Sequence, residues 1–278
     1  MYIITWILCR KDVKTVFVTL PVAPANWDVH FPAFVKACES AGVTRIVKQS
    51  FYHAVQSKAE NRNKYFGESW AYMPSHEGFH DVPLVHKHAL CDGDLILHPD
   101  FEVTLLFATH LMSNVFRSGF ERKALKEKEE FYGASRGKGV NYVSPNDVAD
   151  IAVKAIMEKE HKRQAYTLCG PAAITDDAVA NLLSHQLDQT ITFVEKPFDF
   201  FDTDTAAFEK IKASGVEETF TQGDFKHVMG REPEAFEDYL AATTRMTSVE
   251  QETMLFVETT PQKTTEAMTT VQTPVIAQ

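Results

Sequence analysis

Two stretches decide the fold: Thr15-Val16-Phe17-Val18-Thr19-Leu20, closed by Pro21 and Pro24, and Gly42-Val43-Thr44-Arg45-Ile46-Val47-Lys48-Gln49-Ser50. The first is a short apolar and β-branched run bounded by prolines, the pattern of a buried strand. The second is a turn and another such strand that ends on a serine. Between them Phe31, Phe34, Val35 and Cys38 recur at helical spacing, so a helix is expected from about Phe31 to Ala41, with Gly42 as its left-handed stop. Strand, helix and strand in that order form the unit of a parallel, doubly wound α/β sheet. Such sheets usually hold a dinucleotide at a glycine-rich turn after the first strand. No G-x-G-x-x-G lies upstream of Thr15. The chain therefore reads as the later part of such a domain, either an incomplete gene model or a divergent, cofactor-impaired form. A sheet lacking its first strands exposes an edge, so self-association or poor solubility is expected.

Further along, periodicity is lost from His53 to His88, a histidine-rich and aromatic insertion expected at the surface. A helix is expected from about Leu84 to Leu97, weakened by Gly93, then a third strand at Val103 to Ala108. Glu121 to Glu130 reads as the solvated face of a helix. Ser144-Pro145-Asn146-Asp147 places a capping serine, a first-turn proline and an acid before the stripe Val148, Ile151, Ala152, Ala155 and Ile156. Ala165 to Leu168 and Ile191 to Val194 read as strands. Thr175 caps a helix that buries Val179, Leu182, Leu183 and Leu187. A helical pair broken at Gly230 fills Phe225 to Leu240. The last 36 residues hold 11 threonines and no glycine and read as a disordered tail. The expected organisation is thus a Rossmann-like domain over 1–142 with an insertion at 53–88, a small mixed α/β lobe over 143–242, and the tail over 243–278.

A chain of 278 residues with 44% apolar content can bury one large core, or one core and a small lobe. No run approaches the ~20 apolar residues of a membrane helix, so no membrane partner is expected. The formal charge of −10 opposes attraction to phosphate backbones, and nucleic acid is not expected as a partner. Cys9, Cys38, Cys91 and Cys169 show no C-x-x-C spacing and read as reduced thiols of a cytoplasmic protein.

Four segments in order resemble the NmrA-like branch of the atypical short-chain dehydrogenases/reductases. Gly42 to Ser50 is similar to that family's G-V-K-R-I-V-K-x-S. Thr104, Leu106, Met112, Ser113 and Asn114 agree with its sixth strand and following loop. Asp147-Val148-Ala149-Asp150-Ile151-Ala152 with Tyr166-Thr167-Leu168-Cys169-Gly170-Pro171 resembles D-V-A-x-x-A and Y-x-L-x-G-P. Met229-Gly230-Arg231-Glu232-Pro233 with Phe236 and Tyr239 resembles the closing G-R-x-P motif. The resemblance implies an NAD(P)-binding Rossmann domain with a C-terminal substrate lobe. Its activity would be reduction of a small carbonyl or quinone with NADP or NAD, or redox sensing through a protein partner. It places Thr19, Leu20 and Pro21 along the cofactor after the family's fourth strand. It puts Ser50 at the active-site serine, where a hydroxyl polarises a carbonyl, followed by Phe51 and Tyr52. Thr109, Met112 and Asn114 would lie near the nicotinamide. No Y-x-x-x-K occurs, and Tyr132 to Arg136 falls on the wrong side of the site. Lys87 is the candidate for the ribose-binding lysine. The Arg-Pro after the sixth strand is Phe107-Ala108 here.

Two alternatives stand beside this reading. One is a non-enzymatic regulator that binds a protein partner through its acidic surface and the histidine-rich excursion. The other is a metal site: His76-Glu77-Gly78-Phe79-His80 matches H-E-x-x-H, with His86 six residues on as a third ligand. Pro74, Gly78 and Pro83 leave that motif under two turns of helix, which argues for a polar loop instead.

Overall fold

Strands β1 (Thr15–Val18) and β2 (Arg45–Phe51) run parallel, with helix α1 (Trp27–Ala41) crossing between them. A computed structural model describes residues 13–20, 27–54, 82–116, 119–220 and 223–250. Helix α2 (Pro83–Ile96) carries the chain to β3 (Glu102–Ala108), which pairs parallel with β2. Strand β7 (Ala165–Leu168) lies well beyond residue 142 yet joins the same sheet, giving the order β1-β2-β3-β7, all parallel. Parallel pairing aligns the C-terminal ends of these strands at one rim, where a doubly wound sheet presents its ligand crevice.

The sheet is covered on both faces, as parallel sheets are. Ile46, Val103, Leu105 and Phe107 pack with Phe31, Phe34 and Cys38 of α1 and with Cys91 and Leu95 of α2. Val47, Leu106, Ala108 and Leu168 point the other way, onto helices α4 (Pro145–Met157) and α7 (Phe225–Met229). Helix α4 starts where its sequence says it should: the Ser144 hydroxyl accepts from the Asn146 amide at 3.1 Å, and Pro145 occupies the first turn. Gly42 closes α1 at φ 73°, and Gly230 closes α7 at φ 70°.

A second layer grows from the end of β3. Only Thr109 separates β3 from β4 (His110–Leu111), which pairs parallel with β6 (Val140–Val143). Strand β8 (Ala173–Ile174) runs antiparallel to β6, and β5 (Glu130–Gly133) pairs parallel with β9 (Thr192–Glu195). Helices α3 (Gly119–Lys128), α5 (Asp176–Leu187), α6 (Thr203–Ala213) and α8 (Phe236–Glu250) complete this part. Its own core gathers Met112, Val115, Phe131, Tyr142, Val179, Leu183 and Leu240.

Three expectations need correction. The charged run does not continue as helix to Glu130: Glu129 turns left-handed at φ 55° and Glu130 already belongs to β5. The β9 strand lies one residue later than read. Helix α8 extends to Glu250, so the segment from 243 to 250 is helix rather than tail. Residues 251–278 lie outside the described residues, as do 55–81, the greater part of the expected insertion. Among the described residues no helix is long and apolar enough to cross a membrane.

Candidate functional site

The C-terminal rim of β1, β2 and β3 opens into a cavity of about 210 Å³. Thr19 and Leu20 follow β1, Ser50 and Phe51 end β2, and Ala108 with Thr109 ends β3, so the parallel sheet itself delivers these residues to one place. Ser113 and Asn114 descend from the turn after β4, and Phe208 of α6 covers the opposite side. The lining is hydroxyl, amide and apolar, with His88 at one wall.

Behind Ser50 lies a buried polar network. Residues 48 and 50 share the β2 face toward α2, and on that helix His88 and Asp92 stand one turn apart. Lys48 Nζ is 2.6 Å from one Asp92 oxygen, and the Ser50 hydroxyl donates to the other at 2.5 Å. Neutral His88 accepts from the ammonium through Nδ1 at 3.4 Å. All four are buried, Lys48 completely. Burial raises the Asp92 carboxyl despite the adjacent ammonium, while burial and then the Lys48 charge push His88 well below its ordinary value. With Lys48 fixed on Asp92, the single Ser50 proton points away from the cavity. Toward a ligand, Ser50 therefore offers a lone pair, unlike the carbonyl-polarising donor expected of it.

A buried asparagine ties this rim to the second layer. The Asn141 side-chain oxygen accepts from the Gly170 amide at 2.8 Å and the Thr109 hydroxyl at 3.3 Å. Its amide nitrogen donates to the Gly170 carbonyl at 3.2 Å and the Phe220 carbonyl at 2.7 Å. Every polar capacity of the side chain is engaged. Next to this hub a smaller cavity of about 60 Å³ shares Asn114 and Phe208 with the first. Its walls include His110, Phe131, Tyr132 and Tyr142. Lys212 forms its floor, held 3.0 Å from Asp176 and 2.8 Å from Glu209. His110 is packed edge-on against Phe51 and Phe208, with Glu217 3.5 Å from its Nε2.

Of the residues singled out from sequence, Thr19, Leu20, Ser50, Phe51, Thr109 and Asn114 line the larger cavity together. Tyr52 does not: it is buried and stacked on Phe220 with ring centroids 4.4 Å apart. Met112 is buried in the core of the second layer. Lys87 is half-buried on α2 and outside the cavity lining, because helical geometry turns it about 100° from His88. The lysine beside Ser50 is Lys48. Pro21, His76, Glu77 and His80 lie outside the described residues, and His86 is exposed on α2. Among the described residues, the grouping with metal-ligand spacing is Glu158, Glu160 and His161, outside the cavity lining and with His161 buried. There Glu158 already pairs with Lys154 at 2.8 Å. Sequence reading missed Lys48, Asp92, Asn141 and Tyr142. A lysine inside an apolar, doubly covered strand was the one available signal.

No known-family model matches the chain. Among curated relatives, the NAD(P)H azoreductase of Xenophilus azovorans is 33% identical over 72 residues, 26% of this chain and 25% of that protein. The chain spans a quarter to about half the length of the curated relatives it matches. Two solved structures align far more widely. The triphenylmethane reductase of Citrobacter sp. has a TM-score of 0.63 at 18% identity, covering 87% of this chain and 80% of that one. The NADPH complex of an Escherichia coli quinone oxidoreductase has a TM-score of 0.62 at 18% identity, covering 88% and 80%. This is a Rossmann-like fold. The shared fold is the one expected from the resemblance carried by Gly42 to Ser50 and the later motifs.

Proposed function

We propose that the chain is a Rossmann-type reductase that holds the nicotinamide end of NADP or NAD in the larger cavity and reduces a small carbonyl or quinone. The carrying observation is the convergence of Thr19, Ser50, Thr109 and Asn114 at the rim of the parallel sheet. The donor set fits such a group: hydroxyls and amides suit a carboxamide and ribose hydroxyls, and no carboxylate lines the cavity among the described residues. A glycine-rich turn to grip pyrophosphate is not among the described residues. When bound, the nicotinamide supplies a hydride. The chain's own residues do the rest. The Lys48–Asp92 pair fixes the Ser50 hydroxyl as an acceptor for a ligand N–H or O–H. Thr109, itself donating to Asn141, borders the ring site, and Phe51 with Phe208 excludes water from it.

The names of the relatives support this reading, being those of an azoreductase, a triphenylmethane reductase and a quinone oxidoreductase. Titration of the purified protein with NADPH, followed by tryptophan fluorescence, tests it. Saturable binding at micromolar concentration is expected. Absence of binding at millimolar NADPH overturns it. Binding without turnover on a quinone panel turns the reading to a redox sensor acting on a protein partner.

A further inference from the structure

The chain lacks Y-x-x-x-K, and at the larger cavity Ser50, Thr19 and Thr109 direct their protons to Asp92, Gln49 and Asn141, so these hydroxyls are not free to protonate a reduced carbonyl oxygen. The smaller cavity offers another donor. Tyr142 and Lys212 come from β6 and α6, 70 residues apart in sequence, and line that cavity together. The Tyr142 side chain is buried, its residue only 5% exposed, yet among the described residues its hydroxyl has no hydrogen-bond partner. The hydroxyl opens into the cavity, where a ligand oxygen can take the place of solvent. Other polar groups nearby are accounted for. The Tyr132 hydroxyl donates to Glu130 at 2.5 Å, and both Glu209 oxygens are taken by Lys212 and the Ala134 amide.

The ring is held firmly. It meets Phe236 edge-on at 5.2 Å and lies 6.0 Å from His110, its register partner across β4 and β6. The strand beneath it is pinned, because the Tyr142 carbonyl sits where a side chain on Gly170 would have to go. The hydroxyl is thus positioned by packing alone and left available, beside the cavity proposed for the nicotinamide.

We propose that Tyr142 is the catalytic proton donor of this site, with Lys212 holding the phenolate that forms, and that the substrate is an aromatic carbonyl or quinone with its oxygen on Tyr142. This rests on the reductase reading above. With the hydride that a bound nicotinamide would supply added to the carbonyl carbon, the carbonyl π pair moves to oxygen. The Tyr142 O–H bond breaks and that proton completes the C–O–H group. The phenolate, held by the Lys212 ammonium, then takes a proton from water. Burial raises the Tyr142 hydroxyl and the Lys212 charge acts against that rise, so the residue is protonated at neutral pH and serves as donor rather than base. The walls of Phe131, Tyr132 and Phe208 favour a planar aromatic ring.

The test is Tyr142→Phe, which removes one oxygen and no hydrogen bond among the described residues, so its thermal midpoint should equal or exceed that of the parent. With NADPH and 1,4-naphthoquinone, kcat should fall about 10²- to 10⁴-fold, and KM should rise as the contact to the carbonyl oxygen is lost. An unchanged kcat overturns the assignment. Calorimetric titration of the cofactor-free protein with 1,4-naphthoquinone gives a separate reading. At least tenfold weaker binding to the variant supports the contact, while equal binding, or none to the parent, overturns it. If the parent fails to bind NADPH, the reductase reading falls, and the naphthoquinone titration still decides whether Tyr142 holds a carbonyl oxygen.

Discussion

Lys48 has no exposed surface and, among the described residues, a single carboxylate to balance it, so its energetics turn on Asp92. Asp92→Leu should lose about 3–5 kcal/mol, because it strands a buried ammonium. The double variant Lys48→Met with Asp92→Leu should recover most of that, since a well-packed apolar pair can replace a buried ion pair. Urea unfolding of both singles and the double closes the cycle, and additive losses would show that the two side chains do not act as a pair. His88 contributes a pH dependence of known sign. Its folded value lies well below 6.5, so the unfolded chain takes up the proton first as pH falls. Stability from keeping it neutral is complete above pH 6.5 and is lost as pH drops toward the folded value. Asp92, raised from 3.8, acts oppositely: its contribution is complete below 3.8 and declines as pH rises through the folded value. Between pH 6.5 and 5 the urea midpoint should fall more steeply for the parent than for His88→Gln. Equal slopes would remove His88 from the account. Lys48 was missed in sequence, although a lysine within an apolar strand was a signal. Asp92 offered none, because its meeting with Lys48 depends on the rotation of α2 over the sheet, which no local pattern encodes.

Elements with strong signals read correctly. The apolar stripe of α4 with its serine cap, the runs of β2 and β3, and the Gly42 and Gly230 stops all stand where the sequence placed them. Strand β5 was hidden because its first residue continues a charged run, and only the positive φ of Glu129 ends the helix there. Two glycines give opposite expectations. Gly93 lies inside α2 with nothing near the position of an added Cβ, so Gly93→Ala should stabilise by roughly 0.5–1 kcal/mol. An added Cβ at Gly170 would stand 2.0 Å from the Tyr142 carbonyl oxygen, a backbone atom that cannot swing away. Gly170→Ala should therefore destabilise by about 1–3 kcal/mol and displace β6 from the cavity. Denaturant midpoints of the two variants should move in opposite directions, and a stabilised Gly170→Ala would contradict the tight approach.

At the scale of the whole molecule, β1 has one strand neighbour among the described residues and exposes Phe17 at 39%. The expected self-association through that edge predicts a mass that rises with concentration in light scattering and reverts in Phe17→Lys. A monomer at all concentrations for both proteins would dismiss it. The parallel sheet was visible in sequence from two strands and a helix. The joining of the two layers was not, because it rests on Asn141 bonding to three separate residues, Thr109, Gly170 and Phe220, a convergence seen only once the chain is folded. That join has a consequence for engineering. One residue, Thr109, separates the main sheet from the second layer, and Asn114 and Phe208 serve both cavities at once. On the proposed reductase reading, altering those shared positions to retune which compound is accepted would disturb the cofactor end as well. Libraries aimed at a new substrate should instead vary Phe131 and Thr205, which border the smaller chamber alone.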